Sequence, residues 1–571
     1  MVKSGQKATN FAICFGVFVA AVLFRAVGAD FGFFNGDERV NDAARFLAGE
    51  LIPTQHFYPP FFNYLNGLAF AGLFVVGLFS DLWSDTAGFR DVYFTDPTPF
   101  YLTARYVTAV IGALCAPLFY SSARRVGLSP VQALMSGGFA AVFPIGVFMA
   151  HIAKGDTGLA TACLAVVWAF LMRIDTPHVR RWDIVLGVTV ALAFGFKQSA
   201  LLVLGPLALG MIFVLARREG LAASLKSFGL ALLVLLVLWP VMNIGILLDI
   251  DGFLAFQKIQ TVMSVREEDP FGIGLPITLA IFGDAVTGLN PVVFAMSAVV
   301  PFWLVGTACR LDLRDALIAI WIMNLLSVLA ISLTVGTRQP EHLFLPNLYI
   351  QLLLAVVVLM DMLRAYVGIP RVIVATAALA GFAIMVAGAT NVLQQALVTP
   401  NATRLVAFLD ESYPGARVQT GIALPVPQTV AAQQMEFARL DRLGAKYGID
   451  MPEIAEERIL THDAENAIFW VNVPFVMSGL EGEEAKDADF PMQPHTWPIQ
   501  PEEWTLENWV NEDFDVFVVN DFDYLLTNSR SPDIRRFHAE LLSRCDRVRD
   551  YTARKPLFLE FDLTVFDCSA L

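Results

Sequence analysis

The stretch FNGDERVNDAARFLAGELIPTQHFYPPFF, residues 34–62, is the first long polar break in an otherwise apolar chain, and its reading decides what surrounds it. It places two adjacent carboxylates, Asp37 and Glu38, shortly after an apolar run, followed by His56, Tyr58 and the pair Pro59-Pro60. Between them, Val40 to Leu51 reads as an amphipathic helix with Val40, Ala43, Ala44 and Leu47 on one face. Such a helix lies along a membrane interface and holds the neighbouring acids still.

Working outward, the chain has 571 residues, 56% hydrophobic and 16% charged, whereas a soluble domain carries about 25% charged residues. Apolar runs of about 20 residues, the length that crosses a bilayer as a helix, repeat to about Leu393. The chain is therefore read as an α-helical polytopic membrane protein over residues 1–395 with a soluble α/β domain over 396–571. Lys and Arg concentrate in cytoplasmic loops, and sorting the breaks by that rule gives about eleven spanning helices. They lie near 10–29, 101–122, 131–150, 157–173, 183–197, 199–216, 228–248, 291–308, 315–335, 343–363 and 372–392. The sides alternate when 60–79 and 271–287 are interfacial helices: the first follows Pro59-Pro60 and carries Asn63 and Asn66, and the second is broken by Pro276 and Asp284. This puts the amino terminus in the cytoplasm, on an uncleaved first helix, and the carboxy-terminal domain outside a cell membrane.

The net charge of −14 and the lack of any basic patch exclude nucleic acid as a partner. Of six cysteines, Cys14, Cys115, Cys163 and Cys309 fall in apolar runs. Cys545 and Cys568 could pair if their domain is extracytoplasmic, although no spacing rule pairs them.

On the predicted outer side stand Asp37, Glu38, His56, Tyr58, His151, Lys154, Asp156, Lys197, Arg338, Glu341 and His342. Carboxylates and cations converging from several loops beside a lipid-accessible wall suit a reaction on a charged lipid headgroup. A partly desolvated carboxylate such as Asp37 can act as general base toward an attacking hydroxyl. Asp156, in HIAKGDTGLATA, has two readings, the N-cap of the following helix or a member of the site. Lys154, Lys197 and Arg338 are the cations available to a phosphate, Arg as a bidentate fork and Lys as a point charge. No cluster has zinc-ligand spacing; no metal or other cofactor is required, and a divalent cation could be held weakly by two or three of the acids.

The segments GDERVNDAARFLAGE and HFYPPFFNYL, then HIAKGDTGLATACLAVVWAF, FGFKQSALLVLGPLAL and RQPEHLFLPNLYIQLLLA, resemble in order the motifs of the polyprenyl-phosphate-sugar-dependent glycosyltransferases of the C-type fold, the protein O-mannosyltransferases and aminoarabinose transferases among them. The resemblance covers roughly residues 10 to 365. It implies that Asp37 is the catalytic or acceptor-positioning acid with Glu38 as its partner, and that Asp156 shares their cleft. Lys197 and Arg338 would contact the donor phosphate, with His56 and Tyr58 lining the pocket. His342 stands where relatives carry an aromatic residue. The Trp-Trp-Asp signature of oligosaccharyltransferases is missing, which disfavours transfer of a preassembled glycan to Asn. The implied reaction is a single inverting displacement that moves one sugar from a polyprenyl-phosphate donor to a hydroxyl of a glycan, lipid or protein acceptor. The rival reading is a transporter or flippase of a lipid-linked or anionic solute, whose charges would sit near the midplane of repeated halves; no repeat is found, and the charges lie at one side.

In the carboxy-terminal part, ARVQTGIAL, AIFWVNVPF, DVFVVNDF and LFLEFDLTVF read as strands, alternating with helical TVAAQQMEFARLDRLGAKYG and SPDIRRFHAELLSRC. The Trp-containing stretch 479–508 reads as a long ordered loop or a disordered insertion.

Overall fold

A computed structural model describes residues 2–30, 38–54, 56–177, 179–264, 291–334, 342–422, 424, 426, 428–447, 467–473, 500–529, 531–553 and 561–571. The chain divides into two compact units: Met1–Ala29, Asp37–Ala71 and Thr103–Gln394 make the first, and Asp30–Gly36, Gly72–Leu102 and Gln395–Leu571 the second.

The first unit is helical. Among the described residues eight helices are long and apolar enough to cross a membrane, and a bent pair, Pro130–Ala141 with Pro144–Ala150, makes a ninth. Each of the eleven expected spans is helical, but 10–26 and 292–305 are shorter apolar helices, and 183–197 corresponds to Arg181–Phe196. Residues 60–79, expected at the interface, instead form a continuous helix, Phe61–Phe79, long and apolar enough to span. Pro60 stands just before its first turn, where the missing N–H leaves no intrahelical bond unmade. Asn63 and Asn66 are buried at 6% and 3% exposure, so their amides are shielded and need not pull the helix to the interface. The second expected interfacial segment, 271–287, lies outside the described residues.

The bent pair shows how a polar residue repairs broken backbone within an apolar bundle. Pro144 has no N–H to give Ala140, and the two helices meet at 53°. Arg25, fully buried, donates from Nη2 to the Ala140 carbonyl (3.0 Å) and from Nη1 to that of Ala141 (2.8 Å). Its Nη2 also reaches the Tyr349 hydroxyl at 3.1 Å. Tyr349 can come this close because residue 146 is glycine: a Cβ there would lie 1.9 Å from the Tyr349 oxygen.

The second unit carries a five-stranded sheet in the order β2-β1-β3-β5-β4, with β1 Val418–Thr420, β2 Trp470–Asn472, β3 Val516–Asn520, β4 Asp546–Tyr551 and β5 Leu563–Asp567. The first three are parallel; β5 runs antiparallel to both β3 and β4. Val418, Trp470, Val516 and Val518 face Leu405 and Leu409 of the helix Asn401–Ser412. On the other face Val471, Phe517 and Val519 pack with Ile534, Phe537 and Leu541 of the helix Pro532–Arg544. Trp504 joins this second core, its ring 5.4 Å from that of Phe537. The strand β4, DRVRDY, is an addition to the expected set: its exposed, charged side chains guard a sheet edge against further pairing and carry no apolar alternation. Because Asp546 pairs with Asp567, Cys545 and Cys568 fall opposite one another, 4.6 Å apart at Cα, and form a disulfide.

Candidate active site

Glu38 is the first acid of the polar break to be described, and it is fully committed. Its Oε1 accepts from Arg105 Nε and from the Ala153 backbone N–H, both at 2.8 Å, and its Oε2 accepts from Arg105 Nη2 at 2.7 Å. Arg105, in the helix Thr98–Ala113, also donates from Nη1 to the Ala29 carbonyl at 2.9 Å. One buried ion pair thus ties the end of the first helix, the start of the polar break and the loop before Lys154 together. Asp42 closes the far side of the short helix Val40–Leu47 by accepting from the Thr54 N–H (2.9 Å) and hydroxyl (2.7 Å).

The second acid, Asp156, sits in the first turn of the helix Gly155–Asp175. The N-cap is the extended Lys154, so the capping reading of Asp156 does not hold. Its side chain turns instead to Lys197, whose Nζ lies 2.6 Å from Oδ1. Lys197 comes within reach because the helix Arg181–Phe196 stops there: Lys197 is extended, at φ −162°, and aims its side chain away from the helix axis. The approach of the two helices needs a residue without a side chain at 155, where a Cβ would lie 2.8 Å from the Phe196 carbonyl oxygen. The ammonium of Lys197 also rests 5.1 Å from the centre of the Tyr58 ring. Lys154 and His342 lie near enough to interact with Asp156 electrostatically.

Asp156 is 1% exposed, and its Oδ2 receives no hydrogen bond from the described residues. A buried carboxylate oxygen left without a donor is costly in a finished fold. Beside two lysines, the arrangement suits a ligand that brings both an anionic group and a hydroxyl.

His56 is buried and lies 2.7 Å, through Nε2, from Oδ2 of Asp249, which follows the short helix Ile244–Leu248. The structure therefore brings Asp156, Lys197, Lys154, Tyr58 and His342 together, places His56 in the loop that carries Tyr58, and gives Glu38 to Arg105. Asp37, Arg338 and Glu341 lie outside the described residues. Among the described residues no group of three or more His, Cys, Asp or Glu side chains is placed to hold a metal ion. Arg105 and Asp249 were missed in the sequence. Arg105 carried a signal, an ionisable residue inside the apolar run YLTARYVTAVIGA; Asp249 carried none beyond its polarity.

Residues 101–244, which include Arg105, Lys154, Asp156 and Lys197, match the family model for dolichyl-phosphate-mannose-protein mannosyltransferases. The crystal structure of ArnT from Cupriavidus metallidurans bound to undecaprenyl phosphate is similar over 98% of each chain, with a TM-score of 0.52 at 15% identity. The fold is that of ArnT. Its apo form matches over 100% of this chain and 99% of that of ArnT, with a TM-score of 0.50 at 15% identity. No curated protein matches the chain. Sharing this fold and carrying the apolar helices described above, the chain is a multi-pass membrane protein.

Proposed function

We propose that the chain is a membrane glycosyltransferase that moves one sugar from a polyprenyl-phosphate donor to an acceptor hydroxyl on the extracytoplasmic face, with inversion. The observation that carries this reading is the buried pair Asp156–Lys197, with one carboxylate oxygen unpartnered and Lys154 and His342 beside it. It lies within a fold shared with a protein crystallised on undecaprenyl phosphate.

In the proposed reaction the acceptor oxygen attacks the anomeric carbon, the bond from that carbon to the phosphate oxygen breaks, and the hydroxyl proton passes to Asp37. Anchoring of Glu38 by Arg105 supports this role, because Asp37 shares a peptide bond with Glu38 and so with a fixed point beside the Lys154 loop. Lys197, whose ammonium is fixed by Asp156, would offset the charge growing on the departing phosphate, where Arg338 would join it. The phosphate leaves as an already stabilised anion, so the step calls for no cofactor, and a divalent cation is optional. The acceptor is left open among glycan, lipid and protein hydroxyls.

The disulfide Cys545–Cys568 supports an extracytoplasmic carboxy-terminal unit, since such bonds persist in oxidising compartments. The test is transfer from labelled polyprenyl-phosphate sugars by membranes carrying the wild type or Asp37→Asn. Loss of about a hundredfold or more, with free polyprenyl phosphate no longer accumulating, is expected; unchanged transfer removes Asp37 from the reaction.

A further inference from the structure

We propose that His56, oriented by Asp249, recognises a hydroxyl of the donor sugar; the inference rests on the donor reading above. His56 is 4% exposed. One ring nitrogen, Nε2, faces Asp249 Oδ2 at 2.7 Å, and the other, Nδ1, is buried with no hydrogen-bond partner among the described residues. A carboxylate has no proton to give, so Nε2 carries a hydrogen, and whenever the ring is neutral Nδ1 presents its lone pair. Asp249 is itself held, its Oδ1 accepting from the Gly252 N–H at 3.1 Å, and the edge contact of the imidazole with Phe253, 5.9 Å between ring centres, fixes the ring plane.

The result is a single oriented acceptor, edged by the Phe253 ring and lacking its donor among the described residues. Its loop is the one whose Tyr58 supports Lys197, and Phe57, between them, receives the Arg39 guanidinium at 5.3 Å. An acceptor of this kind cannot bind a phosphate oxygen, which has no hydrogen to offer. It fits an O–H, and a sugar carried on the phosphate held by Lys197 supplies several. A site built to meet a hydroxyl discriminates strongly against the analogue that lacks it, because the buried partner is then left unpaired.

The test uses membranes that carry the full chain and also hold the acceptor, with a panel of undecaprenyl-phosphate hexoses, then the monodeoxy forms of whichever is turned over. For the wild type, removal of one particular hydroxyl is expected to lower kcat/KM by about a hundredfold or more. His56→Phe should turn over intact and deoxy donors equally, and His56→Gln, whose amide oxygen can accept, should recover part of the preference. Nitrogen-15 spectra of the histidine-labelled protein, with the His56 signal identified by its loss in His56→Phe, should show hydrogen on Nε2. Asp249→Asn, whose amide can donate to that nitrogen, should move the hydrogen to Nδ1 and flatten the preference. A hydrogen on Nδ1 in the wild type, or a deoxy penalty unchanged in His56→Phe, overturns the assignment of His56 while turnover itself upholds the donor reading. No turnover with any donor overturns that reading and this inference together.

Discussion

The helix Gly155–Asp175 carries a buried charge near each end, and the two ends are finished differently. Asp156 and Arg173 are separated along it by about 26 Å at 1.5 Å per residue. At the far end Arg173 donates from Nε to Asp183 (2.7 Å) and from Nη1 and Nη2 to the two oxygens of Glu219 (2.8 and 2.9 Å), while Ser227 gives its hydroxyl to Asp183. Three further helices are locked by that cluster. Asp361 is closed in the same way, accepting from Trp303 Nε1 (3.0 Å), the Arg310 N–H (2.9 Å) and Arg364 Nη2 (2.6 Å). At the near end Asp156 keeps one oxygen unpartnered, and His56 keeps one nitrogen so. Buried charge serves as a clamp where its hydrogen bonds are complete and as a binding device where one is left over.

The comparison breaks most visibly if the open end can be neutralised without consequence. Asp156→Asn is expected to lower transfer by about a hundredfold to ten-thousandfold, a loss on the scale of a group that acts only on the reacting substrate. Thermal unfolding of the same variant in detergent should shift downward, since Lys197 is then buried beside a neutral amide without its counter-charge, but the folded fraction should still bind no less lipid and transfer far less. A variant that keeps full transfer would make Asp156 another clamp.

Arg173→Met tests the opposite end. It leaves Asp183 and Glu219 buried without their cation, and the cost expected is about 3–5 kcal/mol of stability. Transfer per folded molecule should be retained. Denaturant titration of the purified protein gives the first quantity, and activity normalised to folded protein the second; a specific loss of catalysis at unchanged stability would erase the distinction between the two ends.

Much of this was legible in the residues. Helices are set by local apolar length, so every expected span is helical, although those at 10–26, 181–196 and 292–305 fall short of a spanning length. The motifs around Asp156 and Lys197 marked two charges that do meet. The helix Phe61–Phe79 is long and apolar enough to span although Asn63 and Asn66 pointed to an interface, and the burial of those two amides depends on neighbours distant in the chain. The same holds for the partners: Glu38 finds Arg105 67 residues away and His56 finds Asp249 193 residues away, pairings that no periodicity encodes. In the second unit β4 went unread because an edge strand needs charge where an inner strand needs alternation.

His538 sharpens the comparison with a buried ionisable group that has no counter-charge. It lies against Trp504, Phe522 and Phe537, with Nδ1 2.6 Å from the Ile534 carbonyl oxygen. Burial lowers its pKa to about 4, whereas in the unfolded chain it titrates near 6.5. The unfolded state therefore binds the extra proton first as pH falls. Stability is whole above about pH 6.5 and declines toward pH 4, by up to about 3 kcal/mol. Following near-ultraviolet circular dichroism against denaturant at pH 7.5 and pH 4.5 measures this. His538→Phe should flatten the dependence, and an unaltered slope would assign it to other groups.

The smallest effect is expected where charges pair in view of solvent. Arg218 donates from Nε to Asp315 at 2.8 Å, with both side chains about one-third exposed, at 33% and 32%. Water competes for each partner and salt screens what is left, so Arg218→Ala, Asp315→Ala and the double variant should each shift stability by less than about 1 kcal/mol. The coupling in that cycle should fall further when salt is raised. The Arg173 cluster, dry and bonded on three sides, should keep its coupling under the same salt. Equal salt sensitivity at the two places would mean that geometry, rather than exclusion of water, separates a clamp from an ornament.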